Sequence, residues 1–291
     1  MIVLAVICFG LVPWFVRSLA EAGLASPAIV FFRFAISAAV LSPFLGVGSK
    51  KFGQLRWAFL SGIVVALGYV GYVEALEAAP VAIVGVLYMT YPLFTLLITW
   101  LWWRRPPAGR SVLGAVLVLV GAVIALSPAV DTGASWAAAL IALTAPLTFA
   151  FAINVLTGKL SGLSGPERAA GFTLGAVTGL LPMVLSLPLD QLLPPSPSDW
   201  LLVVSLSLIT SLLPNLLFAT AGPVLGPART AAAGSFELPT IFLVGWLGLG
   251  EPLGPMQLLA GGLVVLAILM TPVDRIPAVP VIKSAAGAGP P

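Results

Sequence analysis

The chain has no histidine and a single cysteine, Cys8. Without histidine it lacks the commonest general base and metal ligand. One cysteine permits neither an intramolecular disulfide nor a thiolate cage. Charge is scarce too: Asp, Glu, Lys and Arg make up 8% of the 291 residues, against roughly 25% in an ordinary soluble domain. A soluble fold of this size could not cover its surface with so few charges. The sequence contains no GxxxxGK[ST] loop to cradle ATP phosphates, no HExxH pair and no TVGYG filter. No enzyme activity, cofactor or metal is expected. A net charge of +3 gives no reason to expect a nucleic-acid partner.

Apolar residues fill the space that charge leaves, at 60% of the chain. A helical span needs about 20 mostly apolar residues. Ten such stretches are read at 2–20, 27–46, 55–77, 81–103, 110–127, 134–157, 165–187, 200–221, 228–248 and 254–272. The short alternating strands of a β-barrel are absent. The expected fold is an all-α integral membrane protein of ten transmembrane helices. The first stretch lacks a basic leader and carries Trp14 and Arg17, so it reads as a retained helix. The Pro-, Ala- and Gly-rich segment 273–291 is expected to be a disordered cytoplasmic tail.

Pro80, Pro92 and Gly114 recur as Pro227, Pro239 and Gly261, each 147 residues later. Five of the ten spans fit in that interval. Five is odd, so the second copy would thread the bilayer in the opposite sense. The expected division is a first five-helix repeat over 1–127 and an inverted one over 134–272, enclosing a central cavity. Inverted repeats of this kind mark secondary transporters, with the substrate site between the copies.

Loop charge orients the chain. With ten spans, one side receives Lys50, Lys51, Arg56, Arg104, Arg105, Arg110, Lys159, Arg168, Arg229, Arg275 and Lys283. The other receives Glu21, Glu77, Asp131, Asp190, Asp199 and Glu251. Both termini are therefore expected in the cytoplasm.

Candidate site residues come from the few polar and aromatic groups inside the spans. All four tyrosines lie on two adjacent spans, Tyr69 and Tyr72 on one and Tyr88 and Tyr91 on the next. Each pair is spaced i, i+3 and shares a helix face. Tyr72 and Tyr88 both stand eight residues from Pro80, about 12 Å along their helices, so the four rings can meet at one depth. They can line a cavity, form an interfacial belt or pack as core. Offset by 147, their partners are Leu216, Ala219, Ser235 and Leu238, a smoother wall that leaves room for an apolar or aromatic ligand.

Pro92 and Pro239 fall near mid-span and are candidates for hinges, since an internal proline bends a helix and frees a carbonyl. Pro13, Pro146, Pro182 and Pro214 mark other spans. Arg33 and Glu74 have matching depths and can pair. Glu237 is central to its span, where a carboxylate costs roughly 2.5–3.5 kcal/mol. It can carry a proton, bind a substrate amine or bond to backbone freed by Pro239. Asn154 and Asn215 can orient a substrate or join helices.

The stretch Trp246-Leu247-Gly248-Leu249-Gly250-Glu251-Pro252, with Gln257 and Gly261 after it, resembles the end of an EamA repeat of the drug/metabolite transporter superfamily. Arg33, Pro92 and Pro239 resemble other marks of that family. The first repeat departs from it: Arg104 and Arg105 stand where many relatives have Glu. Within the superfamily the chain is most similar to bacterial YddG-type exporters of aromatic amino acids. The resemblance implies export of small amphipathic metabolites, above all aromatic or apolar amino acids, by alternating access in a bacterial inner membrane. It implies a helical basket around a central cavity and adds Trp14 as a wall residue. A carrier of nucleosides, organic cations or lipid-linked sugars is the alternative, and a non-transporting scaffold a further one. Lipid-facing and partner-facing apolar surfaces read alike, so the sequence assigns no oligomeric state.

Overall fold

A computed structural model of the chain describes residues 1–45, 51–104, 106, 109–131, 140–234 and 236–270. Lys50, Arg105, Ser235, Arg275, Lys283 and the expected tail 273–291 lie outside the described residues. The described chain is a bundle of fifteen helices. In order these are α1 (Ile2–Gly10), α2 (Val12–Glu21), α3 (Ser26–Leu41), α4 (Phe52–Ala78), α5 (Val81–Tyr88), α6 (Tyr91–Trp103), α7 (Gly109–Asp131), α8 (Thr144–Gly158) and α9 (Gly165–Val184). There follow α10 (Leu189–Leu192), α11 (Pro197–Ser207), α12 (Leu213–Leu225), α13 (Pro227–Gly234), α14 (Glu237–Leu243) and α15 (Pro255–Met270). Wide π-helical turns follow α11 over Leu208–Leu212 and α14 over Val244–Gly248.

Several of these join end to end into longer apolar rods. Among the described residues seven helices are long and apolar enough to cross a membrane. They run over Ile2–Glu21, Ser26–Phe44, Phe52–Ala78, Val81–Trp102, Leu140–Gly158, Pro197–Leu225 and Pro227–Gly248. The chain is a multi-pass membrane protein. The expected ten spans in two inverted sets of five are not what the structure shows, and seven cannot be divided into two fives.

The difference lies in three stretches. In α7 the apolar run among the residues with described side chains is Val112–Gly121. In α9 the opening Gly-Pro-Glu-Arg and the glycines and threonines behind it dilute the apolar character. In α15 the apolar run is Pro255–Ala267, short of the roughly 20 residues that a span requires. Counting apolar stretches in sequence did not weigh the charged and small residues that open α9.

The tightest crossing joins α4 to α9, and glycine explains it. A Cβ on Gly62 would overlap the Phe172 carbonyl oxygen, and one on Gly175 would overlap that of Phe59. Without side chains the two backbones meet directly, the close approach that small residues permit between helices in lipid.

One end of the bundle is fastened by charge. Ser164 and Glu167 form a reciprocal capping box at the start of α9: the Ser164 N–H donates to Glu167 Oε2 (2.7 Å) and the Glu167 N–H to Ser164 Oγ (3.4 Å). Lys51 Nζ adds a 2.7 Å ion pair to Glu167 Oε1. Together these hold the Glu167 carboxyl down at about 2, from an ordinary 4.5. A depressed carboxylate stabilises the fold above its unfolded value and ceases to as pH falls through the folded one. The difference in Tm between the native chain and Glu167→Gln is therefore expected to be full at pH 7. It should shrink between about pH 4.5 and about pH 2, which thermal melts in detergent across that range would check.

Candidate functional site

Two prolines set up the interior. In an α-helix the carbonyl of residue i accepts from the N–H of i+4, and proline has none to give. Pro214 leaves the Thr210 carbonyl free, and Pro223 does the same for Ala219. An arginine from a neighbouring helix fills each vacancy. Arg33 donates to Thr210 O from Nη2 (3.0 Å) and Nε (3.4 Å). Arg168 donates to Ala219 O from Nη1 (2.8 Å) and to Leu160 O from Nε (2.9 Å).

Arg33 is buried and belongs to an aromatic cluster. Its guanidinium carbon lies 4.3 Å from the centre of the Tyr69 ring, 5.4 Å from Phe34 and 5.9 Å from Phe9. The four tyrosines meet, as their spacing suggests. Ring centres are 5.3 Å apart for Tyr69–Tyr72, 5.2 Å for Tyr72–Tyr88 and 5.5 Å for Tyr88–Tyr91. The Tyr69 and Tyr88 hydroxyls are 3.1 Å apart, and Tyr91 donates to Ala231 O. All four are buried. Glu237 is also buried.

Below this cluster lies a cavity with about 480 Å³ of atom-free space, its mouth included. Phe9, Phe149 and Phe218 separate the two. These rings pack at 5.5–6.3 Å from one another and line the cavity, while Phe149 also lies 5.9 Å from Tyr88 and 5.1 Å from Tyr91. Ser61, Ile153, Arg168, Asn215 and Ala219 complete much of the wall. Ser61 is 18 residues before Ala79 on α4, about 27 Å along the helix axis. The cavity therefore lies in the half of the bundle that carries Lys51, Arg56, Lys159 and Arg168.

At the other end Arg17 and Glu251 form an ion pair. Arg17 Nη2 donates to the Ala79 carbonyl (2.9 Å) and to Glu251 Oε1 (3.2 Å). Glu251 Oε2 accepts from the Val81 N–H (2.7 Å) at the start of α5. Alongside, Ser26 Oγ donates to Glu77 Oε1 (2.8 Å) and the Ala25 N–H to Gln191 O (2.9 Å). Three separate segments, α2, the α4–α5 turn and the loop before α15, thus meet at one ion pair.

Other expected site residues fall elsewhere. Trp14 packs edge-on against Phe15 and is 36% exposed, away from the cavity wall. Glu74 is exposed and Arg33 reaches Thr210 instead, so the expected Arg33–Glu74 pair does not form. Asn154 is committed to joining α8 to α6: it accepts from Thr99 Oγ1 and donates to the Thr95 and Ala150 carbonyls. Asn215 does line the cavity, donating to Ser211 Oγ. Pro92 and Pro239 each stand in the first turn of a restarted helix, α6 and α14. Ser235 lies outside the described residues. The phenylalanine trio and the Arg17–Glu251 tie had no signal in sequence beyond apolar residues in apolar spans and charges at span ends. Among the described residues no group of three or more His, Cys, Asp or Glu could hold a metal.

No curated protein matches the chain. A solved structure described only as "Crystal structure of protein" aligns with a TM-score of 0.63 and 19% identity, covering 92% of this chain and 95% of its own. That likeness shows a shared fold. Residues 1–127 match the EamA-like transporter family.

Proposed function

We propose that the chain is a secondary carrier that exports small amphipathic metabolites, above all aromatic or apolar amino acids, by alternating access. The observation that carries this reading is a part-open cavity that ends against an aromatic and ionic cluster, with an ion pair at the far end. The apolar wall of Phe9, Phe149, Ile153 and Phe218 suits an aromatic or aliphatic side chain. An apolar, aromatic lining with a few polar groups is the character of small-molecule sites. The match of residues 1–127 to a transporter family supports the class of activity, and the aromatic lining supports the choice of solute.

The reading also places the protein in a bacterial inner membrane. The basic end, with Lys51, Arg56, Lys159 and Arg168, faces the cytoplasm by the positive-inside rule. The acidic end, with Glu77 and Glu251, faces outward. In the described conformation the cavity is then on the cytoplasmic side, where an exporter loads.

Purified protein in liposomes should move labelled Phe and Trp down their gradients. Failure to move Phe, Trp or Thr would contradict the proposal, and movement of a nucleoside or organic cation alone would reassign the solute. Phe149→Ala should lower Phe and Trp transport at sub-saturating substrate by about 10-fold, the loss expected when a ring-on-ring contact of about 1.5 kcal/mol disappears. Initial rates against substrate concentration would check it.

A further inference from the structure

Arg168 is the one charged side chain among the described residues that line the cavity. It is pinned to that wall. Nε donates to the Leu160 carbonyl (2.9 Å) and Nη1 to the Ala219 carbonyl (2.8 Å), and Leu160 and Ala219 are themselves lining residues. Nη2 makes no hydrogen bond to a described residue, yet it is not buried. Its two hydrogens are unspent and within reach of a solute. A guanidinium already held by two main-chain carbonyls is fixed in advance, so a ligand has little left to order.

Among the described lining residues no carboxylate answers this charge. Glu167, its neighbour in sequence, is committed elsewhere: Oε1 pairs with Lys51 Nζ (2.7 Å) and Oε2 accepts from the Ser164 N–H (2.7 Å). The other polar lining groups are neutral. Ser61 Oγ donates to the Ala58 carbonyl (2.7 Å) and Asn215 Nδ2 to Ser211 Oγ (3.1 Å). Each keeps an oxygen that can still accept. The rest of the wall is apolar. A cavity with one unmatched cation and no anion favours a negatively charged group, and apolar surroundings strengthen that preference.

We infer that Arg168 receives the carboxylate of the transported solute, and that recognition rests on this charge and not on an ammonium. The solute class is then an aromatic or apolar body that carries a carboxylate, with or without an α-amino group. An ammonium meets only neutral acceptors on the wall, so it is tolerated without being required. The inference rests on the carrier reading above and narrows its solute.

Competition against labelled Phe uptake in liposomes at neutral pH tests it, with protein-free liposomes as background. The competitors are unlabelled Phe, 3-phenylpropionate, which lacks the ammonium, and 2-phenylethylamine, which lacks the carboxylate. For the native chain, 3-phenylpropionate should compete within about 3-fold of Phe, and 2-phenylethylamine at least about 10-fold more weakly. Arg168→Gln should erase most of the preference for 3-phenylpropionate over 2-phenylethylamine. Asn215→Asp keeps Arg168 and nearly the same shape but adds an anion to the wall, so it should narrow that preference by at least about 5-fold. A native chain that takes the amine as well as the acid would overturn the inference while leaving the carrier intact. So would either variant if it transports Phe and keeps the full preference. A native chain that moves no Phe would instead overturn the carrier reading, and this inference with it. The native-chain comparison and Asn215→Asp decide the matter even where Arg168→Gln fails to fold.

Discussion

Gly175→Leu is expected to leave little or no folded protein. The new side chain would start inside the Phe59 carbonyl, and neither backbone can yield without separating α4 from α9. Overpacking a core typically costs about 1–3 kcal/mol, and a clash with backbone belongs at or above the top of that range. Loss of the monodisperse peak on size exclusion, or a Tm lower by about 6 °C or more, is the expected result. Gly262→Leu is the control, because a Cβ there meets nothing within 4 Å; its yield and Tm should stay near native. Equal behaviour of the two variants would refute the claim that these glycines set the helix crossing.

Glu251→Ala should change which side of the membrane the cavity faces. The substitution removes the partner of Arg17 and the acceptor of the Val81 N–H together. Hydrogen bonds to charged groups contribute about 1.5–3 kcal/mol each, though the pair is partly exposed, with 25% and 20% of the two side chains accessible, and solvent weakens it. Losing even one such contact amounts to a shift of about 10-fold in the balance between the closed and open forms of that end. The expected signature is a larger population open at the acidic end. Arg17→Gln should act in the same direction, since it removes the same tie from the other side.

Much of the interior was legible from residue type and spacing. Four tyrosines, placed in pairs about the turn at Pro80, could hardly avoid meeting, and they do. Their surroundings were not legible. The phenylalanines between cluster and cavity are apolar residues in apolar spans, where periodicity says little because lipid and core are equally greasy. The fate of Arg33 was hidden for a different reason. Depth alone suggested Glu74, but the acceptor is a main-chain carbonyl freed by Pro214, on a helix 177 positions away. The span count went astray because α7, α9 and α15 carry enough apolar residues to look like crossings. α9 is diluted by its opening Gly-Pro-Glu-Arg and by glycines and threonines, and α15 is only 16 residues long. Trp14 illustrates the limit of family resemblance: the residue is present, yet its ring lies outside the cavity.

The central claim is that one cavity is reachable from either face of the membrane in turn, with the Arg17–Glu251 tie closing one of them. Site-directed labelling tests this most directly. Cys8→Ala removes the native thiol and Ala152→Cys places one on the cavity wall. A membrane-impermeant maleimide should label that thiol from the side of Lys51 and Arg168. With Glu251→Ala added, it should label from the opposite side as well. Labelling from one side alone, unchanged by Glu251→Ala, would contradict the account.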